Sequence, residues 1–295
     1  MRGRVTVFAA WLGLVACAPD PGDVQPLSPP SLSMTLPLPV MLDADVLLST
    51  DGHLDYECDP DDGDLERRCP LDITALRWTG SDYTRTREGA ETTGVEANVM
   101  FGMPLYAPVA GEVIACWRRM PDDLVDGDDV NCSGGDRACI QGGNHLNVLT
   151  DEGTLWFVGH LQQDSIPPEL CPIDEVYLYG TDGKSCDLGG GGWEGLRESS
   201  RLDRRGLAGI RVEAGEMIGR VGTSGSSTGP HLHIHAKPYE WDGDNHCEAH
   251  SIPLAWTDAQ TQVRVDGHGP DEDAWVDLDG QVLPIDGRTY LLRER

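Results

Sequence analysis

Glycine and proline punctuate this chain so often that no stretch reads as a long helix: 36 Gly and 20 Pro fall among its 295 residues. Turn formers at that density leave room for short strands and loops, so a helical bundle is excluded and a β-rich, loop-rich fold is expected. The strand signals are explicit from residue 99 onward. Pro104 to Pro108 reads as a turn running into a strand over 109–116, and Leu146–Thr150 and Leu155–Val158 flank Asp151-Glu152-Gly153 as a hairpin. Met217–Val221, Leu232–Ala236, Gln262–Val265 and Thr289–Leu292 are further strand candidates. With 50 acidic against 22 basic residues the formal charge is −28, and such a field repels phosphate backbones, so nucleic acid is excluded as a partner.

The N-terminus reads as that of an exported chain. Arg2 and Arg4 form a basic start, and the apolar run from Val5 to Ala16 is shorter than the ~20 residues that a bilayer core needs. Leu14-Val-Ala-Cys17 resembles a bacterial lipobox, which implies cleavage before Cys17, lipidation of its thiol and a membrane anchor. Ala18 after that cysteine resembles lipoproteins held on the periplasmic side of the outer membrane. Cleavage removes two arginines and no acids, making the chain still more acidic. Residues 18–41, with seven prolines, read as an extended tether.

Eight cysteines remain: Cys58, Cys69, Cys116, Cys132, Cys139, Cys171, Cys186 and Cys247. An even set in an exported chain reads as a disulfide framework, and no CxxC spacing supports a zinc cluster of cysteines. Nearest-neighbour pairing gives Cys58–Cys69, Cys132–Cys139 and Cys171–Cys186, leaving Cys116–Cys247. Acidic runs at 55–66 and 122–129 offer clustered oxygens for Ca²⁺, but neither has EF-hand spacing; a solvated acidic surface is the favoured reading.

The chemistry concentrates in a glycine-rich turn that leads into His231-Leu-His233-Ile-His235. On a strand, residues two apart share a face, so the three imidazoles line up and can act as metal ligands and proton acceptors.

Several segments together resemble the lysostaphin/LytM-type zinc peptidases that cut peptidoglycan cross-bridges. They are Pro104-Leu-Tyr-Ala-Pro-Val-Ala-Gly-Glu-Val113, Gly143-Asn144, Val158-Gly-His160-Leu161, Val212–Gly222 and Ser227-Thr-Gly-Pro-His-Leu-His233, in family order over about 92–237. The resemblance implies an all-β, antiparallel β-sheet core with long disulfide-stapled loop insertions, and a zinc-activated water. It implies His233 as a zinc ligand, His231 as the base and His160 as a second catalytic histidine that stabilises the oxyanion. The family's remaining ligands come from an H-x-x-x-D motif, and here the sequence departs. The best register puts Thr92 at the histidine and Glu96 at the aspartate; another puts Trp78 and Asp82 there, and neither restores the histidine. His235 on the same face, or His53 folding back, are the candidate substitutes.

The expected organisation is a signal and lipobox over 1–17, the tether over 18–41, and an acidic cysteine-bracketed extension over 42–91. A peptidase-type domain follows over 92–240 with insertions at 120–143 and 162–208, then an acidic β-rich extension over 241–295. Beside a structural lipoprotein that only reuses the fold, two functional readings stay open. One is an active zinc endopeptidase hydrolysing peptidoglycan cross-bridges. The other, favoured by the missing ligand, is a non-catalytic module that binds wall stem peptides or regulates a partner cell-wall hydrolase.

Overall fold

The computed structural model describes residues 31–38, 45–52, 70–90, 94–122, 142–172, 206–225, 227–238, 251–283 and 288–295. Cys17, His53, Thr92, Cys58, Cys69, Cys132, Cys139, Cys186 and Cys247 lie outside them, as do the acidic run at 55–66 and all of the second run except Asp122. Short strands form where β-branched and aromatic residues alternate between glycine turns. In chain order they are β1 (Leu32–Met34), β2 (Val46–Gly52), β3 (Leu71–Trp78), β4 (Tyr83–Thr84), β5 (Pro104–Tyr106), β6 (Gly111–Trp117), β7 (Asn144–Leu149) and β8 (Thr154–Leu161). Then come β9 (Arg211–Val212), β10 (Met217–Arg220), β11 (Leu232–Pro238), β12 (Leu254–Trp256), β13 (Ala259–Val263), β14 (Val276–Asp277), β15 (Gln281–Val282) and β16 (Tyr290–Glu294). Helical structure among the described residues is confined to 3-10 turns at Val95–Ala97 and Glu272–Ala274, and none is long and apolar enough to cross a membrane.

One large sheet runs in the order β14-β13-β16-β2-β3-β11-β8-β7-β6-β9, with β4 paired to β3. Every pair in it is antiparallel, as the family resemblance implies. A two-stranded β5–β10 pair and a β1-β12-β15 sheet accompany it, with β1 and β12 parallel. The expected hairpin is β7–β8, closed by a turn in which Gly153 takes φ 84°. The two halves of the large sheet meet at β3–β11, where Leu232, His233 and Ile234 face Ile73, Asp72 and Leu71.

Ile73 and Ala75 of β3, Leu232 and Ile234 of β11, Trp156 and Val158 of β8 and Leu146 and Val148 of β7 point into one continuous core. Residues 31–38, which fall inside the stretch read as tether, contribute Leu32, Met34, Leu36 and Leu38 to that core. Backbone ties hold the segment: Tyr106 N–H donates to the Pro37 carbonyl at 2.8 Å, and Leu36 N–H to Asp258 Oδ1 at 2.8 Å.

The disulfide framework corrects the nearest-neighbour pairing. Cys116 on β6 is bonded to Cys171, with Cα atoms 5.7 Å apart across 55 residues, which rules out Cys171–Cys186 and Cys116–Cys247. The cause is the path of the chain after β8. The segment over 162–172 folds back along the exit of β6, where Asp164 N–H donates to the Arg118 carbonyl at 2.7 Å and Arg118 Nε donates to the Cys171 carbonyl at 3.0 Å.

Candidate metal and catalytic centre

Strand alternation puts Leu232, Ile234 and Ala236 on the core side of β11, so His231, His233 and His235 share the opposite face. His160 reaches the same face by a different route. Regular alternation after Trp156 and Val158 would turn its side chain into the core. Instead the β7–β8 register shifts between Asn144 and Leu146, and His160 takes φ 58°. A bulge of this kind re-aims a side chain, and histidine is among the residues that tolerate the left-handed region. Gly159 makes the bulge fit: a Cβ there would stand 2.8 Å from the Phe157 ring and 2.9 Å from the Gly142 carbonyl oxygen.

The outcome is a cluster in which the ligand atoms of His160, His231 and His233 all lie within 4.8 Å of one another. The rings of His160 and His231 are 4.6 Å apart between centroids, and those of His160 and His233 are 5.8 Å apart. Each tautomer is dictated by a carbonyl, which accepts only. His160 Nδ1–H donates to the Ser224 carbonyl at 2.8 Å, and His231 Nδ1–H donates to the Gly229 carbonyl at 2.7 Å, so both rings direct Nε2 toward the cluster. Burial, reinforced by the neighbouring His231 and His233, holds the His160 pKa well below the usual histidine value, so its ring is neutral and able to accept a proton.

A carboxylate that the motif reading overlooked completes the group. Asp72 sits on β3 directly opposite His233. Its Oδ1 lies 2.9 Å from His233 Nδ1, and its Oδ2 lies 3.5 Å from His231 Nε2. The sequence signal was present in the alternation of Leu71-Asp-Ile-Thr-Ala, but Asp72 lies upstream of the stretch that carries the family resemblance.

His235 lies one step behind the cluster. Its ring stacks on Phe157 with centroids 4.8 Å apart, and its Nδ1 is 3.4 Å from His233 Nε2. Burial, then His233 and Lys237, push its pKa well down. The other candidate ligands stand elsewhere. Glu96 is exposed on the 3-10 turn, its carboxylate bent back so that a Cβ on Gly94 would stand 2.8 Å from it. Asp82 is exposed in the turn after β3, where its Oδ1 accepts from Tyr83 N–H at 2.8 Å. Trp78 packs its ring against Tyr83 at 4.8 Å.

The turn that delivers His231 is braced from below. Asp122 accepts from Thr223 N–H and Gln163 N–H, each at 2.7 Å, so this member of the second acidic run holds the turn in place. Ser224 Oγ accepts from Asn144 N–H at 2.8 Å and donates to the Leu161 carbonyl at 2.7 Å, fastening the turn to both β7 and β8. Gly143, at φ 62°, packs so closely on the Ser224 backbone that any side chain would collide with it.

Fold and site together define an antiparallel β scaffold that gathers three histidines and an aspartate on one face. No protein-family model matches the sequence, and no curated protein does. Solved structures do match. One is a zinc-containing peptidase from Vibrio cholerae, 19% identical, covering 55% of this chain and 33% of its own, with a TM-score of 0.23. The chain thus spans about a third of that protein. Another is the catalytic domain of the antimicrobial peptidase lysostaphin from Staphylococcus simulans, 15% identical, covering 58% of this chain and 84% of its own, with a TM-score of 0.24. A third, the complex of SpoIIIAH and SpoIIQ, is 12% identical and covers 70% of this chain and 92% of its own, with a TM-score of 0.28.

Proposed function

We propose that this chain is a cell-wall-directed metallopeptidase-type lipoprotein, exported and tethered through Cys17 on the periplasmic side of the outer membrane, acting on peptidoglycan stem peptides or cross-bridges. The observation that carries the reading is the convergence of His160, His231 and His233, with ligand atoms within 4.8 Å, on a face opposite the core. His233, with Asp72 beside it on the paired strand, offers the imidazole and carboxylate donors that zinc takes, which leaves His231 and His160 to handle protons. Bound there, zinc would supply Lewis acidity toward a peptide carbonyl and toward water.

The chain's own groups supply the rest. His231, fixed by its Nδ1–H bond to the Gly229 carbonyl, presents Nε2 as the proton acceptor for an attacking water. His160, buried and neutral with its Nδ1 proton on the Ser224 carbonyl, holds its Nε2 toward the same space. As a neutral ring it accepts or relays a proton; it stabilises an oxyanion only once protonated. His233 is anchored between Asp72 and His235 and keeps the floor of the group rigid. Phe157, in contact with the rings of His145, His233 and His235, lines that floor with apolar surface.

A second reading, a non-catalytic module that binds wall peptides or regulates a partner hydrolase, is favoured by the exposed position of Glu96. One experiment separates them. Purified protein with added zinc is incubated with peptidoglycan sacculi, and the soluble products are analysed by mass spectrometry. New peptide termini that disappear with His231→Ala support hydrolysis. Binding to sacculi with no new termini supports the module.

A further inference from the structure

We propose that Arg85, beside the turn that delivers His231, is a specificity-determining residue that takes a free carboxylate of the peptide held at this centre. The inference rests on the wall-peptide reading above and goes beyond it by naming the group that is recognised and the residue that recognises it.

Placement carries the argument first. Past Thr84 the chain stays extended and is tied to the segment that leads into β5. Val99 N–H donates to the Arg85 carbonyl at 2.8 Å, Arg87 N–H donates to the Ala97 carbonyl at 2.7 Å, and Thr86 bridges Asn98. The neighbouring guanidiniums clamp this frame. Arg77 Nε donates to the Thr86 carbonyl at 3.2 Å, Arg87 donates to the Asn98 and Phe101 carbonyls, and Arg220 Nη1 donates to the Gly102 carbonyl at 2.9 Å. The exposed Arg85 side chain reaches the histidine turn instead, where its Nη1 stands 4.0 Å from the position of a Cβ on Gly229. Gly229 is firmly held: its carbonyl accepts from Ser227 Oγ at 2.8 Å and from His231 Nδ1–H at 2.7 Å. From Gly229 to His231 the chain spans at most ~7 Å. The guanidinium therefore stands at the edge of the histidine cluster, within about three residues of an extended peptide laid over His231.

Charge carries it next. With 50 acidic residues against 22 basic, the chain repels an anionic peptide at long range, so holding one requires a cation at close quarters. Glu88 and Glu96 are exposed on the turns flanking the Arg85 frame, which keeps the positive potential local and suited to one carboxylate rather than to a polyanion. A planar guanidinium matches a carboxylate with two parallel N–H bonds, and its five donors serve a ligand as well as partners within the chain.

An arginine that merely fastened the turn would treat all ligands alike, and the experiment separates the two roles. Muropeptides released from sacculi by a muramidase are used as isolated and after carbodiimide coupling in excess ammonia, which turns their carboxylates into amides. Binding to full-length wild type, Arg85→Gln and Arg85→Lys is measured by calorimetry in chelator, where no metal-dependent cleavage consumes the peptide; circular dichroism checks folding. Wild type is expected to bind the native form about tenfold to a hundredfold more tightly than the amidated form, as a charge-assisted pair implies. Arg85→Gln abolishes that preference by weakening the native form alone, and Arg85→Lys keeps part of it. Equal affinity of wild type for the two forms overturns the assignment and leaves peptide binding standing. A preference that survives in Arg85→Gln also overturns it, as does an equal loss for both forms in that variant. A wild-type protein that binds neither form overturns the assignment, and one that also fails to bind intact sacculi overturns the wall-peptide reading with it.

Discussion

His160 and His235 carry an acid-sensitive penalty that belongs to single residues. Burial lowers both pKa values well below 6.5, whereas the unfolded chain protonates its histidines near that value. The unfolded state therefore binds more protons as pH falls below 6.5, and stability in the metal-free protein drops with it; above 6.5 these two groups add no pH dependence. Thermal midpoints measured in chelator between pH 7.5 and 5 should decline, and His160→Asn should flatten the decline. An identical slope in the variant would remove His160 as its source. The histidines themselves were legible in the sequence because H-x-H-x-H on a strand can only share a face. Asp72 was not, because a cross-strand partner is fixed by register between segments more than 150 residues apart, and no local spacing records it.

Among the elements, the β7–β8 bulge decides whether the centre exists. It lifts His160 out of the strict alternation that would bury its side chain in the core, and Gly159 is the residue that lets Phe157 and the Gly142 carbonyl close around it. Gly159→Ala is expected to cost about 1–3 kcal/mol through overpacking and to displace His160. Denaturant unfolding would read the first effect and Co²⁺ spectra the second; a variant equal to wild type in both would show that the bulge has slack. The strands themselves were readable from alternation and glycine turns, and the β7–β8 hairpin lies where Asp151-Glu152-Gly153 puts it. The bulge was not, since an extra residue in one strand is defined only against its partner. Disulfide pairing escaped for a similar reason. Cys116 and Cys171 are brought together because 162–172 folds back on β6, and sequence proximity to Cys186 carried no information about that path.

At the scale of the whole molecule, the N- and C-terminal segments are not appendages of a central domain. β2 and β3 join β11 on one side and β16 on the other, so the large sheet passes without a break from the strands that carry the histidines to the C-terminal ones. Residues 31–38 belong to the folded body, where Leu32, Met34, Leu36 and Leu38 alternate into the core within the proline-rich stretch expected to be a tether. Leu38, 2% exposed, should cost about 2–5 kcal/mol when replaced by alanine. A melting temperature unchanged by that substitution would return the segment to the tether. Taken alone, the sequence determined the all-β class, the short-strand grammar, the acidic net charge and the histidines available for chemistry, because each follows from composition or local periodicity. Only the tertiary structure decided which carboxylate meets those histidines, which face His160 presents and which cysteines pair, because each of these depends on segments distant in sequence being held in register by the sheet.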